Sequence, residues 1–420
     1  MFRGIVPPAG AVFALLFFVS CGNGRGTGPD PFVERQIPAH LSADVSDVVE
    51  SANRFAVDFY REIMNRKEGN LFCSPFSVST ALAMTDAGAA GETKAEMERV
   101  LRFSGNQENV HAAYGALVKS LDRGGALGGY RLNVANRLWG QTGYPFLETF
   151  LDVCANDYQA GFETLDFLMN WESARQTINL WVEGKTEERI KDLLPPGSVT
   201  RNTRLVLTNA IYFKGKWARQ FDPKATTDQA FHRTGGEASV PMMYQKETFG
   251  YARGTDLSIL EMKYVGEDLS MFVFLPDSID GLADLEAGLT FEALEAGIAA
   301  VRDQKVIVYL PRFEFTVDFE LNAVLAAMGM PSAFNPETAD FSGMDGTRDL
   351  FIHGVFHKAF VKTNEEGTEA AAATGVVMGV TSAPNYPIFR ADHPFLFLIR
   401  DNVTGAVLFM GRVADPLSKA

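Results

Sequence analysis

Cysteine is scarce in this chain: Cys21, Cys73 and Cys154 are the three in 420 residues. That excludes a small disulfide-stapled scaffold, and no Cys/His cluster with metal-ligand spacing supports a zinc site. The six histidines are scattered. His353 and His357 stand four apart and would share a helix face as metal ligands, yet Phe351-Ile352 and Val355-Phe356 suit a strand or bend equally. Nucleophile and nucleotide motifs are missing as well. There is no Gly-x-Ser-x-Gly elbow and no His-Glu-x-x-His helix. Gly184-Lys185-Thr186 has Asn179 where a phosphate-binding loop needs glycine, and the Gly124-Gly125 and Gly128-Gly129 pairs precede no clear helix start. Positive charge is in deficit, 38 Lys and Arg against 52 Asp and Glu for a net charge of −14, which argues against nucleic acid and anionic membrane surfaces as partners. Leu257 to Pro276, the one long apolar candidate after the N-terminus, is broken by Glu261, Lys263, Glu267 and Asp268. An enzyme would need a catalytic constellation that this sequence lacks, and nothing in it calls for a cofactor.

What the chain has is core-forming material. With 46% hydrophobic and 21% charged residues, no internal repeat and no low-complexity break, it reads as one domain despite a length that would hold two or three. Phe55, Phe59, Ile63 and Met64 recur at helical spacing, and Ser74 with Pro75 makes a capped start for a second helix running to Leu82 and Met84. Leu205 to Phe213, Ser270 to Leu275, Val306 to Leu310 and Phe395 to Arg400 read as strands. Asn402-Val403-Thr404-Gly405 turns the last of these into Ala406 to Met410. Helices first and strands later predict an α+β fold. Cys73, among apolar residues beside the Ser74-Pro75 helix start, reads as a buried structural thiol; chain spacing cannot pair it with Cys154.

One window stands apart. No Lys or Arg occurs from Thr363 to Phe389, and the stretch is rich in Ala, Gly and Thr. Alanine favours helix and such a tract also suits a surface linker. From Thr368 onward, however, Thr368, Ala370, Ala372, Thr374, Val376, Met378 and Val380 would share one uncharged face of a strand, with Glu369, Ala371, Ala373, Gly375, Val377 and Gly379 on the other. Such a segment can serve as a loop and can also enter a sheet with one face buried and no charge desolvated.

The run Glu365-Glu366-Gly367-Thr368-Glu369-Ala370-Ala371-Ala372-Ala373-Thr374, with the later block Ala391-Asp392-His393-Pro394-Phe395-Leu396-Phe397-Leu398-Ile399, resembles the reactive-loop hinge and C-terminal signature of serpins. Further resemblances occur in family order: Asn70 to Ser77, Leu207 to Trp217, Leu310 to Phe313, Val355 to Ala359 and Leu408 to Val413. Together they span roughly Ser46 to Pro416. The resemblance implies the serpin fold, with helices packed on a large central sheet plus two smaller sheets, metastable with an exposed reactive loop at about 365–389. It implies an inhibitor of serine proteases that acts as a suicide substrate, trapped as an acyl-enzyme when the cut loop inserts into the sheet. It further implies that Ser74, Ser77, Asn209 and His357 lie where the sheet opens, that Lys214 and Trp217 lie where insertion starts, and that Arg312 pairs with Glu365 at the top of the hinge. Non-inhibitory members carry charged, bulky or proline residues early in the hinge, whereas this chain has Thr368 and four alanines. Counting from Glu365 places the attacked bond between Thr381 and Ser382, with Val380, Ser382 and Ala383 as the other candidates for the specificity residue. All are small, which suits elastase-like or subtilisin-like serine proteases and not trypsin-like ones. A cysteine protease target and a non-inhibitory binding or carrier role are the alternatives. A monomer is expected.

At the N-terminus, Arg3 precedes an apolar run from Ala9 to Val19 that is too short to span a bilayer and reads as a signal peptide over residues 1–20. Its end at Ser20-Cys21-Gly22 resembles a bacterial lipoprotein cleavage site, with Cys21 as the lipidated residue and Phe18 in place of the usual leucine. Ordinary secretion with Cys21 as an unpaired thiol is the alternative. Residues 21–45 then read as a flexible tether to a single domain over 46–420. The chain is thus expected to be exported, either membrane-anchored through that lipid or extracellular.

Overall fold

Val45, Val48, Val49, Ala52, Phe55, Ala56, Phe59, Tyr60 and Ile63 repeat every three to four residues and are buried along one face of the helix Ser42–Met64. In the computed structural model, which describes residues 37–104, 109–126, 130–158, 162–368 and 386–419, this helix begins inside the stretch that composition reads as tether. Ser42, Ala43 and Asp44 are not buried, and the buried stripe begins only at Val45, so the helix start carries no apolar pattern. The second helix, Pro75–Asp86, starts where expected: Ser74 caps it by accepting the Ser77 N–H, and Pro75 occupies the first turn. All twelve of its residues are buried. Three of its hydroxyls are satisfied within the helix, Ser79 and Thr80 donating to the Phe76 carbonyl and Thr85 to that of Ala81, which lowers the cost of running these polar side chains through the core.

Fifteen strands are found among the described residues: β1 Leu71–Cys73, β2 Tyr130–Gln141, β3 Phe162–Leu165, β4 Leu205–Lys216, β5 Thr227–Arg233, β6 Gly236–Arg253, β7 Leu257–Lys263, β8 Leu269–Pro276, β9 Arg302–Pro311, β10 Phe313–Glu320, β11 Val355–Asn364, β12 Gly367–Thr368, β13 Ile388–Arg390, β14 Phe395–Asp401 and β15 Val407–Val413. Each strand read from the sequence is present and extends by one to several residues beyond the expected span, although β15 begins at Val407 and not at Ala406. They form two sheets. One runs β1-β15-β14-β8-β7-β6-β9-β13, with β5 on β6. The other, the central sheet, runs β10-β11-β12-β4-β2-β3, with β11 also pairing β4 directly.

The central sheet is covered on both faces. The main core, including the helix Pro75–Asp86, lies beneath it; Trp139, Phe167, Ile178, Val182, Phe356 and Phe360 form a second apolar cluster under the helix Phe167–Lys185 on the other side. Burial on both faces explains why the first nine residues of β4 are all buried and read as a continuous apolar run. Cys73 and Cys154 are free, buried thiols whose pKa values burial pushes up. Among the described residues no helix is long and apolar enough to cross a membrane, and no cluster could hold a metal ion.

The window read as a loop over 365–389 is narrower at both ends. Gly367 and Thr368 are already strand, and Ile388 to Arg390 pair with β9. Ala370, Ala371, Ala372, Ala373, Thr374, Thr381 and Ser382 lie outside the described residues, as does Cys21.

Candidate functional site

Two polar constellations sit at the joint between β11 and β4. These strands are parallel and pair directly over only five residues, Val355 to Ala359 against Leu207 to Ile211. Above Ala359 they part. At the top, β12 fills the gap, antiparallel to both: Thr368 lies opposite Thr363 and Gly215, and Gly367 opposite Asn364 and Lys216. Phe360 to Lys362 and Tyr212 to Lys214 therefore flank an opening three residues tall.

Below the opening, Asn136 of β2, Asn209 of β4 and His357 of β11 stand in register on neighbouring strands. His357 alternates with Ala359, Val361 and Thr363, and so faces the core and the start of the helix Pro75–Asp86. Its Nε2 accepts the Ser74 backbone N–H at 3.1 Å, which places the ring proton on Nδ1, donated to Asn209 Oδ1 at 2.6 Å. Asn209 Nδ2 donates to Ser77 Oγ (2.9 Å) and Asn136 Oδ1 (3.0 Å); Ser77 Oγ donates to Asn136 Oδ1 (3.1 Å), and Asn136 Nδ2 to the Ser77 carbonyl (3.2 Å). Ser74 Oγ donates to the Leu408 carbonyl at 2.7 Å. The four residues singled out in the sequence are thus in mutual contact. Asn136 completes the set and escaped sequence reading, because a lone asparagine in a strand gains meaning only once its register opposite Asn209 is known. Burial pushes the His357 pKa down to about 4, against the opposing effect of its bond to Asn209.

The second constellation fixes the turn above the opening. Three consecutive carbonyls are held by the segment after β4: Trp217 Nε1 donates to the Asn364 carbonyl (2.9 Å), the Phe221 N–H to that of Glu365 (2.8 Å) and the Trp217 N–H to that of Glu366 (2.7 Å). Asn364 Oδ1 accepts the N–H groups of Glu366 and Gly367. The buried Glu365 carboxylate accepts from Arg312 Nε at 2.8 Å, from the same guanidinium's Nη2, and from the Thr226 hydroxyl. Burial works against the Glu365 charge, yet Arg312 and Thr226 more than offset it, and its pKa lies below the ordinary carboxylate value. Arg312 is 43% exposed, so the pair anchors the turn on one buried and one wet end.

Gly367 allows the chain to enter the sheet. A Cβ there would stand 2.0 Å from the Gly215 carbonyl oxygen and 2.7 Å from Lys216 Cα, both backbone atoms that cannot swing away. Thr368 follows, 2% exposed, with its hydroxyl 2.8 Å from that of Tyr264, whose ring stacks on Trp217 at 4.7 Å. Tyr264, Phe221 and Thr226 are further members that sequence reading missed; each lies outside the motifs and reaches the hinge only through tertiary contact. Lys214 sits on β4 at the edge of the opening. Thr363 Oγ1 and Glu366 Oε2 are buried at this corner with no hydrogen-bond partner among the described residues.

Comparison with known proteins agrees with this geometry. The family model described as serpin (serine protease inhibitor) matches residues 50–416. Human leukocyte elastase inhibitor is 43% identical over 379 residues, 88% of this chain and 99% of that protein. Serpin48 of the insect Tenebrio molitor, described as a highly specific serpin, matches in structure with a TM-score of 0.77 at 31% identity, covering 90% of this chain and 99% of that one. Human thyroxine-binding globulin, solved as a complex, matches with a TM-score of 0.80 at 28% identity, over 90% and 100%.

The His357 network sets a pH dependence. In the unfolded chain imidazole takes up its proton near pH 6.5, whereas in the fold it does so near 4. The stabilisation is therefore complete above pH 6.5 and is lost as pH falls towards 4, an effect on the order of 3 kcal/mol. Thermal unfolding between pH 7 and 4 should show a fall in wild-type Tm that His357→Gln lacks in part. Parallel curves for the two proteins would assign the acid sensitivity to other groups.

Proposed function

Since this chain belongs to the serpin family, and takes the serpin fold, we propose that it inhibits a serine protease as a suicide substrate. The protease serine oxygen attacks the Thr381 carbonyl carbon, the Thr381–Ser382 bond breaks, and the Ser382 amine leaves. The ester to Thr381 remains, and the freed chain after Thr368 inserts between β11 and β4 before water can cleave it. No side chain of the inhibitor takes part in the chemistry; its contribution is mechanical, because displacing a protease's catalytic groups by an ångström costs large factors in rate.

The observation that carries this reading is register. Paired residues of β11 and β4 differ by 148 positions where the strands touch, as in Val355 opposite Leu207, and by the same 148 across β12, where Thr363 and Gly215 flank Thr368. A strand continuing from Thr368 would enter, once β11 and β4 part, without changing the register of either neighbour. Ala370 would come between Val361 and Phe213, Ala372 between Ala359 and Ile211, and Thr374 between His357 and Asn209. Glu369 would face the other way, between Lys362 and Lys214, so its charge would be matched. Insertion would replace a parallel pairing with two antiparallel ladders, the more stable arrangement per residue. The native chain would then be held kinetically above a more stable state.

The target fits the small residues Val380 to Ala383. An elastase-like or subtilisin-like enzyme accepts these, and the name of the human leukocyte elastase inhibitor points the same way. We also propose a monomer built as one domain, with export directed by residues 1–20 and a lipid on Cys21 as its membrane contact. The likeness to thyroxine-binding globulin supports a second reading, a carrier whose loop does not insert.

Nicking the loop with a non-target protease, locating the cut by mass and comparing melts separates the two readings. A large rise in Tm is expected; an unchanged Tm would support the carrier. Thr368→Arg would place a guanidinium against Tyr264 at a 2% exposed site. Cleavage should persist while covalent complex, read on denaturing gels, falls at least tenfold; undiminished trapping would defeat the insertion mechanism.

A further inference from the structure

The outer face of β6, β9 and β13 carries cations held by rings and not by carboxylates. Register places Tyr244, Tyr309 and Arg390 in one row across the three strands and Lys246, Ile307 and Ile388 in the next. The Arg390 guanidinium lies 3.6 Å over the Tyr309 ring and donates to Gln229 Oε1 at 2.7 Å; Tyr309 in turn contacts the Tyr244 ring. Lys246 Nζ and Lys305 Nζ lie 4.4 and 5.7 Å from the Tyr386 ring centroid. Among the described residues none of the three cations has a carboxylate within ion-pair distance. Asp303, the next same-face residue on β9, acts instead on Lys263, whose pKa it helps to raise. A cation over a ring at a partly exposed site is held weakly and keeps its charge available. In a chain of net charge −14, this face is a local field of opposite sign.

Covalent geometry places the face beside the attacked bond. Only residues 383–385 separate Ser382 from Tyr386, so the two are at most roughly 14 Å apart even in a fully extended chain. A protease closed on Thr381–Ser382 is thereby held within reach of β13 and its neighbours. Resting on the inhibitory reading above, we infer that Lys246, Lys305 and Arg390, with Tyr309 and Tyr386, form a docking surface for an acidic patch beside the protease's cleft. Small residues in the loop admit many proteases of shallow pocket. The cationic face selects among them by rate of encounter, the step on which surface charge acts most strongly.

The test is the association rate of Lys246→Glu/Lys305→Glu with an elastase-type serine protease that carries a carboxylate cluster beside its cleft, and with a variant of that protease in which the cluster is lysine. For the acidic enzyme the rate should fall at least tenfold at low ionic strength, converge with wild type in high salt, and recover with the lysine-bearing enzyme. Stoichiometry and Tm should not change. Equal losses against both enzymes, or no loss, would overturn the proposal. So would a defect seen only when heparin is added, which would make the face a polyanion site. If no covalent complex forms at all, the inhibitory reading fails on its own, and kcat/KM for loop cleavage by the same two enzymes still decides whether they dock here.

Discussion

The shared offset of β11 and β4 is the constraint on which the rest depends. Two parallel strands that touch over five residues and then part, both already in step with the antiparallel turn seated above them, would have to separate but would need no change of register to admit more of the same chain. Sheets resist a one-residue slip because it sends every side chain to the wrong face. Here that rule works in favour of insertion: the face on which Thr368 meets Tyr264 is also the face on which His357 meets Ser74. Any continuation from Thr368 therefore keeps its alternate residues on the core side over the whole length of the joint.

Two kinds of contact hold that joint, and they differ in how they would answer to opening. The hinge turn is fixed through its backbone, three carbonyls taken by Trp217 and Phe221 and one carboxylate by Arg312, so it fixes the chain up to Thr368 whatever sequence follows. The pairing below is fixed through side chains, His357 to Asn209 to Asn136, with Ser74 and Ser77 at the helix cap. Amides and hydroxyls are donors and acceptors at once, so such a row can exchange partners as strands separate without leaving a buried charge behind. The neutral His357 belongs to this logic: an imidazolium would turn a donor towards the Ser74 N–H. Thr363 Oγ1 and Glu366 Oε2, buried without a hydrogen-bond partner among the described residues, sit above at the same corner.

Much of this was legible in the sequence, and what was not has identifiable reasons. Ser74-Pro75 announces a helix start because cap and first-turn chemistry are local, and β4 and β14 announce themselves as apolar runs. The helix Ser42–Met64 was only half visible, since its buried stripe begins only at Val45. Ser74, Ser77, Asn209 and His357 were found through resemblance to a family, not through pattern. Nothing in their spacing tells that residues 283 positions apart share a hydrogen bond. Asn136 and Tyr264 stayed hidden for the same reason in purer form, because their roles arise from register and ring packing alone. Gly367 could be read as a hinge glycine, but the cause, a neighbouring carbonyl oxygen where its Cβ would be, exists only in three dimensions.

The alanines from 370 to 373 can be understood from the two walls that would receive them. One side of the slot is lined by Val361 and Phe213 of the main core, the other by Phe360 of the second apolar cluster and by the buried Tyr212, so both faces are already closed. Filling a closed core with larger side chains costs about 1–3 kcal/mol for each misfit, while alanine adds one methyl and keeps its backbone groups for the ladders. Alanine is also a poor strand former and a good helix former. The segment therefore gains little from being extended until it has neighbours, and nearly all the stabilisation of an inserted strand would come from pairing with β11 and β4. A hinge of valine or isoleucine would favour the extended state before cleavage and overfill the slot after it. Small residues would withhold that stabilisation until the slot itself supplied it, which is the condition the proposed insertion places on the hinge.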